Sequence, residues 1–570
     1  MADTRFPNAS NRPPLPRWLL PAGVALIVAI AIVTPWAKLT GTIHRLKGDA
    51  LADGPQWVQD RKLAFDSYRA AAEHGDAEAQ VRLGEILIDG EWAEDGIPQD
   101  DAAAMHWFQM AADQDDPAGQ AWIGWMHDEG RATREDDALA FKWYTKSAEQ
   151  QYLWAQTQLG WMYEAGLGTD KDVAAAMRWY RRAAEAGDVD AQVALGKIFV
   201  TAEPKLEGVT KDDLTALTWF RRAAEQGDAD GQHWMGYMYS RGLGVHIDDA
   251  IAARWFTRAA EQGLRRSQNE VAWMYHKGMG VPANDAAAVD WYRRASQQDS
   301  AWAQYRLGWF HALGHGVSKD ENEALQLFRT AAEAGLPDAQ VALGDVYRHG
   351  RLGVGVDLTQ AVDWYQRAAK QNDDDGLGAL AEMHLDGHGL KLDYAMAQQL
   401  ADGPARRANA RAQYVLGRIN AEGLLGYVDI QSAYVWYSLA SAFGHANAME
   451  ELRRLRLGMT PEAISESEAL TRERAREYAL TDWTRARFEE YQSTSPIGAF
   501  AVGLAGNMGW TEGYATGSEA SANALALCEA YRYEDAPSCQ LFAVGRRIVF
   551  GLPQAEIDRV IQTFVQAERQ

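Results

Sequence analysis

Small, aromatic and acidic residues recur along residues 51–458 in one fixed order, and that order predicts pairs of helices. A small residue stands at 71, 111, 147, 183, 223, 259, 295, 331, 368, 404 and 440, alanine in nine cases, with Ser147 and Pro404 as exceptions. Eleven residues earlier comes a helix-capping side chain, from Asp60 and Asp100 through Asn284 to Asp393 and Asp429. Such side chains accept from the orphan N–H groups of a first turn and suit the positive end of the helix dipole. Seven before the small residue is alanine in all eleven units, from Ala64 to Ala433, a size that allows a paired helix to approach closely. Four and three before it stands an aromatic pair in most units, such as Trp143-Tyr144, Trp179-Tyr180 and Trp291-Tyr292, expected to be buried between layers. Glycines such as Gly75, Gly187 and Gly335 then end that helix. Another helix follows with a Leu-Gly pair, as in Leu159-Gly160 and Leu307-Gly308, and a Gly-x-Gly turn such as Gly166-Leu167-Gly168 closes the hairpin.

The units are spaced by 36 to 40 residues. A period of this size marks a helix-pair solenoid, in which each layer buries its neighbour and the array presents long surfaces. The pattern Ala-Gln-x-x-Leu-Gly-x-Met-Tyr-x-x-Gly-x-Gly, then Asp, Ala, Trp-Tyr and Ala-Ala-Glu-x-Gly, resembles the Sel-one-like repeat, a tetratricopeptide-related αα-repeat class. Ala155-Gln156 through Gly187 is a near-complete copy. The resemblance implies an all-α solenoid of αα-hairpins wound into a right-handed superhelix, and an adaptor or scaffold role without enzymatic activity. The tenth unit departs from the pattern at Leu400 and Pro404, so a distorted layer is expected there.

The ends carry other signals. Residues 1–17 form a tail, and Trp18 to Trp36 is an uncharged stretch of a length that spans a hydrocarbon core, with tryptophans at both interfaces. Thr34-Pro35-Trp36-Ala37 is a poor signal-peptidase site. A transmembrane anchor over 18–37 is therefore expected. Arg5, Arg12 and Arg17 before it balance Lys38, Arg45 and Lys47 after it, so charge does not orient it. The two cysteines, Cys528 and Cys539, bear on orientation: such a pair is either a disulfide in an oxidising compartment or two buried thiols. The bridge, and with it periplasmic repeats on a single-pass bacterial inner-membrane protein, is the expectation. Residues 459–495 read as a helical linker opening at Thr460-Pro461, and 496–570 as a small α+β domain. Its strands are expected at Ala499–Val502, Trp510–Thr516, Ser538–Val544 and Arg547–Phe550, with helices over Ser518–Tyr531 and from Pro553. About 55 residues of it resemble a small secreted domain of unknown function at bacterial C-termini.

The formal net charge of −23 argues against a nucleic-acid partner, which would need a basic footprint. No phosphate-binding Gly-x4-Gly-Lys loop and no Ser-x-x-Lys occurs, and no cofactor is expected. His311/His315 and His384/His388 have helical metal-ligand spacing, but His311 and His384 fill a slot that is tyrosine in other units, and no metal site is expected. One constellation points to binding. The residue after Leu-Gly is Trp125, Trp161, Tyr237, Trp273 and Trp309, with Lys197 interrupting, and Trp154 and Trp302 lie two helical turns before two of these. The row either packs layers together or lies partly exposed in the concave groove, where it would hold a protein or peptide partner, or alternatively a glycan such as peptidoglycan.

Overall fold

The structure is a computed structural model that describes residues 36–52, 60–90, 92–201 and 210–478, and four short strands between 498 and 548. It is an all-α repeat solenoid, with 24 α-helices among the described residues and no strand among those of residues 60–458 that are described. Two compact units meet between Ile247 and Asp248. The first holds five helix hairpins and the helix Ala229–Arg241; the second begins with Asp249–Glu261, continues through five hairpins, and adds the helices Ala448–Arg456 and Pro461–Tyr478.

All eleven capping side chains do what their spacing implies: each begins a second helix and accepts from a backbone N–H two or three residues on, as Asp172 does from Ala175 at 2.8 Å. The two members of the aromatic pair then part company. The second ring packs inside its own hairpin. Tyr144, Tyr292 and Tyr365 are fully buried; Tyr144 faces Gly124 and Tyr365 faces Gly344, while the hairpin of Tyr292 carries Ala272 at the glycine position. A methyl group on Gly160 would stand 2.7 Å from the Tyr180 ring, and one on Gly308 would stand 2.7 Å from Phe328. Glycine is required there because the ring occupies the space of a side chain. The first ring packs between layers: Trp219 is buried in one cluster with Ala176, Tyr180 and Ala183 of the preceding second helix, and Trp364 with Phe328 and Ala331. A cation three residues on covers its open side, Arg182 at 4.7 Å from the Trp179 ring and Arg294 at 4.4 Å from Trp291. The second rings Tyr180 and Phe328 share those clusters, so both members of the pair contribute buried area between layers as expected.

Layers are also tied by a repeated pair of glutamines. Gln80, Gln192 and Gln340 are buried in first helices and donate to a carbonyl at the end of the previous second helix, Gln192 Nε2 to Ala184 O at 3.0 Å. Their Oε1 atoms accept from Gln114, Gln226 and Gln371 of the next second helix at 2.8 to 3.0 Å. Where that donor is replaced, by Ala186 and Phe443, the buried Oε1 atoms of Gln156 and Gln413 have no partner.

Four residues after each reference position the backbone is left-handed. Gly75, Gly187, Gly227, Gly263, Gly335 and Gly444 take it without strain, whereas Asp115, Gln151, Asp299, Asn372 and Ala408 adopt it with a side chain.

Three expectations need correction or placement. The first hairpin starts before the repeat signal does: Trp36–Ala52 is a first helix packed on Arg61–Glu73, with Gly48 under the Tyr68 ring and Tyr68 Oη donating to Asp49 at 2.9 Å. Trp36 and Ala37 stand at the start of the described part of this helix, and Arg45 pairs with Asp49, Asp76 and Glu78 at 3.2 to 3.4 Å. The remainder of the stretch from Trp18 lies outside the described residues; among these no helix is long and apolar enough to cross a membrane. The tenth second helix, Tyr394–Arg406, keeps the 13-residue length of its neighbours with Pro404 in its last turn, and Ala401 stands where the others have a ring. Toward the C-terminus, Thr460 Oγ1 accepts from Ala463 and opens the helix Pro461–Tyr478. Strands Gly498–Val502, Met508–Glu512, Gln540–Val544 and Arg547–Ile548 form an antiparallel sheet in which the first strand lies between the second and third. Cys528, Cys539 and the two terminal helices expected around them lie outside the described residues.

The orphaned acceptor gives a test. Ala186 is exposed and occupies the position of Gln226, so Ala186→Gln should reach Gln156 Oε1 and raise stability by about 1 kcal/mol in chemical denaturation. No gain would remove the glutamine pair as a layer tie.

Candidate partner-binding face on the first helices

The residue after the Leu-Gly pair defines one register. In the first unit it holds Glu85, Trp125, Trp161, Lys197 and Tyr237; in the second, Trp273, Trp309, Asp345, Glu382 and Arg418. The aromatic members differ in exposure. Trp125 is buried at 3%, which follows the packing alternative, because Trp122 meets it edge-on at 5.5 Å and the Arg131 guanidinium lies 5.5 Å from its centre. Trp122 in turn stacks flat on Phe108 and packs against Trp154, both at 5.0 Å. Trp154, Trp161, Tyr237, Trp273, Trp302 and Trp309 are each half-buried. Their edges serve packing while part of each ring meets solvent.

In the second unit Trp302 and Trp273 hold a guanidinium between them. Arg306 is fully buried, 5.2 Å from the Trp273 ring and 5.9 Å from Trp302. Lys277 lies over Trp273 at 4.8 Å, and Trp309 meets Phe328 edge-on at 5.2 Å. In the first unit Arg241 approaches Tyr237 at 5.8 Å. Three of the half-open rings, Tyr237, Trp273 and Trp302, therefore sit beside cations.

Past Trp309 the same register becomes ionic, which the sequence reading missed. Glu382 is buried at 8% and bonded to Arg348 of the preceding first helix, with Arg411 of the next at 3.5 Å and His445 Nε2 at 3.6 Å. Burial alone would push its carboxyl up; His445, Arg411 and Arg348 overcome this and hold it at about 2. Arg411 also reaches two layers back to Asp345 at 3.1 Å, over Gly378, while Asp345 accepts from Tyr365 Oη at 2.6 Å. Arg418 pairs with Asp386 at 2.6 Å, and His445 stacks on Tyr414 at 4.0 Å. The one advance signal was the register itself: Asp345, Glu382 and Arg418 continue the row that Trp125 begins. Among the described residues no three metal-capable side chains converge, and the His384 ring makes its contact with the Lys391 carbonyl at 3.3 Å.

The fold defines an αα-hairpin repeat protein whose first-helix register passes from aromatic to ionic residues. Ten successive segments, from 77–116 to 410–445, match the Sel1 repeat and cover more than half of the chain. The chain belongs to the Sel1 repeat family. It is similar to a protective antigen of uropathogenic Escherichia coli with an SLR fold, at 28% identity and TM-score 0.60, over 83% of this chain and 98% of that one. A Sel1 repeat protein from Oxalobacter formigenes shares 28% identity over 59% of this chain and 94% of its own, at TM-score 0.43. Chitin synthase regulatory factor 4 of Schizosaccharomyces pombe is 30% identical over 119 residues, which is 20% of this chain and 18% of that protein. Sel1 repeat proteins generally mediate protein–protein interaction, and their fold is typically a non-catalytic scaffold.

One titration follows from this face. Asp373 caps the helix Asp374–Asp386 through Gly376 N at 2.7 Å, and burial, with Asp375, Asp338 and Asp374 nearby, pushes its carboxyl up to about 6. A carboxyl whose folded value lies above its unfolded value favours folding at low pH and loses that contribution as pH rises through about 6. Asp373→Asn keeps the cap, so it should melt higher than wild type at neutral pH. The difference should close between about pH 6 and the ordinary aspartate range. A variant that melts lower at neutral pH would refute the shift.

Proposed function

We propose that the chain is a membrane-anchored scaffold that holds a protein partner on the first-helix face. What supports this is the exposure of the register after Leu-Gly: Trp161, Tyr237, Trp273 and Trp309 keep part of their rings open at a position where a purely structural ring would be enclosed, as Trp125 is. Trp154 and Trp302 flank them. Broad aromatic faces bind with little loss of side-chain freedom and commonly dominate an interface. The cations around them favour partner groups that are aromatic or acidic. The anchor in this reading is the uncharged stretch that begins at Trp18; the repeats lie on the periplasmic side of a bacterial inner membrane, where Cys528 and Cys539 pair.

Cross-linking in the native cell identifies the partner; Trp161→Ala and Trp273→Ala then decide the role of the rings. Each should weaken binding by about 2 kcal/mol with little change in melting. Rings that serve only as core would instead lose about 3 to 5 kcal/mol of stability, and that result would end the assignment. Loss of binding to purified peptidoglycan in the same variants would replace the protein partner by a glycan. Protease added to intact spheroplasts should digest the repeats; full protection would place them in the cytosol.

A further inference from the structure

The turns between first and second helices form an edge of each unit, and in the last three complete hairpins that edge changes character. The residues on either side of the capping aspartate are Val356 and Leu358, Leu392 and Tyr394, Val428 and Ile430. Val356, Leu392 and Val428 are 63%, 47% and 57% exposed. Most earlier hairpins are polar here: Gln99, Glu135, Lys171, Lys211 and Lys319 stand before the cap and Asp101, Asp137, Asp213, Asp249, Asp285 and Glu321 after it, with Ile247, 41% exposed, and Ala283 before it and Val173 after it as the exceptions. The fold therefore does not need apolar residues here. It gives up something for them, since an acidic residue in a helix's first turn is stabilised by the helix dipole and Leu358, Tyr394 and Ile430 forgo it.

The three turns are continuous. A methyl on Gly389 would stand 2.8 Å from the Leu358 carbonyl oxygen, so one turn lies on the start of the preceding second helix. Tyr394 and Leu424 pack against one shared cluster, which joins the next pair. Between the apolar residues run the carboxylates of Asp357, Asp393 and Asp429, each spent on capping and none in an ion pair among the described residues. The surface is thus an apolar strip with an acidic midline on a chain of formal charge −23.

We infer that this strip is a second docking surface, and that its occupant is a basic amphipathic segment of a protein partner. Apolar side chains of such a segment cover the strip while its lysines or arginines meet the three carboxylates. The charge excludes the reverse pattern: an acidic amphipathic segment or an anionic lipid surface would bring like charge against the midline. The strip shares no residue with the aromatic row and does not depend on its role.

The test uses the full chain and a fluorescent amphipathic peptide built of leucine and lysine. The comparison protein is the triple variant V356Q/L392Q/V428Q, which keeps the charge and carries at each site the residue type of Gln99. Wild type should bind the peptide at least about tenfold more tightly than the variant, with the two proteins alike in helix content and melting. W161A should bind it as wild type does, which separates this surface from the aromatic face. A leucine–glutamate peptide should bind about tenfold more weakly. Should the triple variant fold poorly, V356Q, L392Q and V428Q singly carry the comparison. Equal affinity for wild type and variant would overturn the inference, leaving net charge alone as the cause. So would equal binding of the two peptides, or no binding to wild type. A dimer seen in sedimentation and abolished by the three substitutions would assign the strip to a second copy. Binding to phosphatidylcholine–phosphatidylglycerol vesicles lost in the variant would assign it to lipid.

Discussion

Most hairpins depend on a ring lying where a side chain would otherwise be. Gly160 beneath Tyr180 and Gly308 beneath Phe328 let two helix backbones close on an aromatic face, and that contact fixes their separation. The other regularities follow from it. The alanine seven residues before each reference position faces the same close approach; all eleven, from Ala64 to Ala433, are fully buried. Where the tenth second helix has Ala401 in place of a ring, the facing glycine is exchanged for Ala381, and both are buried in one cluster. Volume lost on one side is partly returned on the other, which is how a close-packed interior tolerates substitution.

Stacking of hairpins uses a different chemistry. The interlayer tryptophan is capped by a cation of its own helix, and the glutamine pair threads a hydrogen bond from one second helix through a first helix to the next second helix. Both devices leave polar atoms satisfied at the seam. The seam can therefore be buried without becoming purely apolar.

What was legible in the sequence was what is decided within one hairpin. Capping aspartates, the small positions and the left-handed C-terminal glycines act over a few residues, so spacing alone revealed them. The first hairpin escaped because Trp36–Ala52 lacks the Leu-Gly pair; Gly48 sits behind Lys47, and its role is evident only with Tyr68 beside it. The exposure of the row was not legible for a similar reason. Trp125 and Trp161 share a register, but Trp122 closes over the former, whereas Gln158 stands at the equivalent place before the latter. Asp345, Glu382 and Arg418 were not legible as a network because each finds ionic partners one or two layers away, at distances no local pattern encodes.

The Arg411–Asp345 pair spans a whole intervening hairpin. Most joints in this array link nearest neighbours, so a duplicated or deleted hairpin would leave matching surfaces on both sides, and the chain could change length there by copying a unit. Between Asp345 and Arg411 it could not: an added unit would part the two charges inside a packed layer, and a lost one would crowd them. That segment is locked in number as well as in shape, so lineages that lengthen or shorten the array should do so outside it.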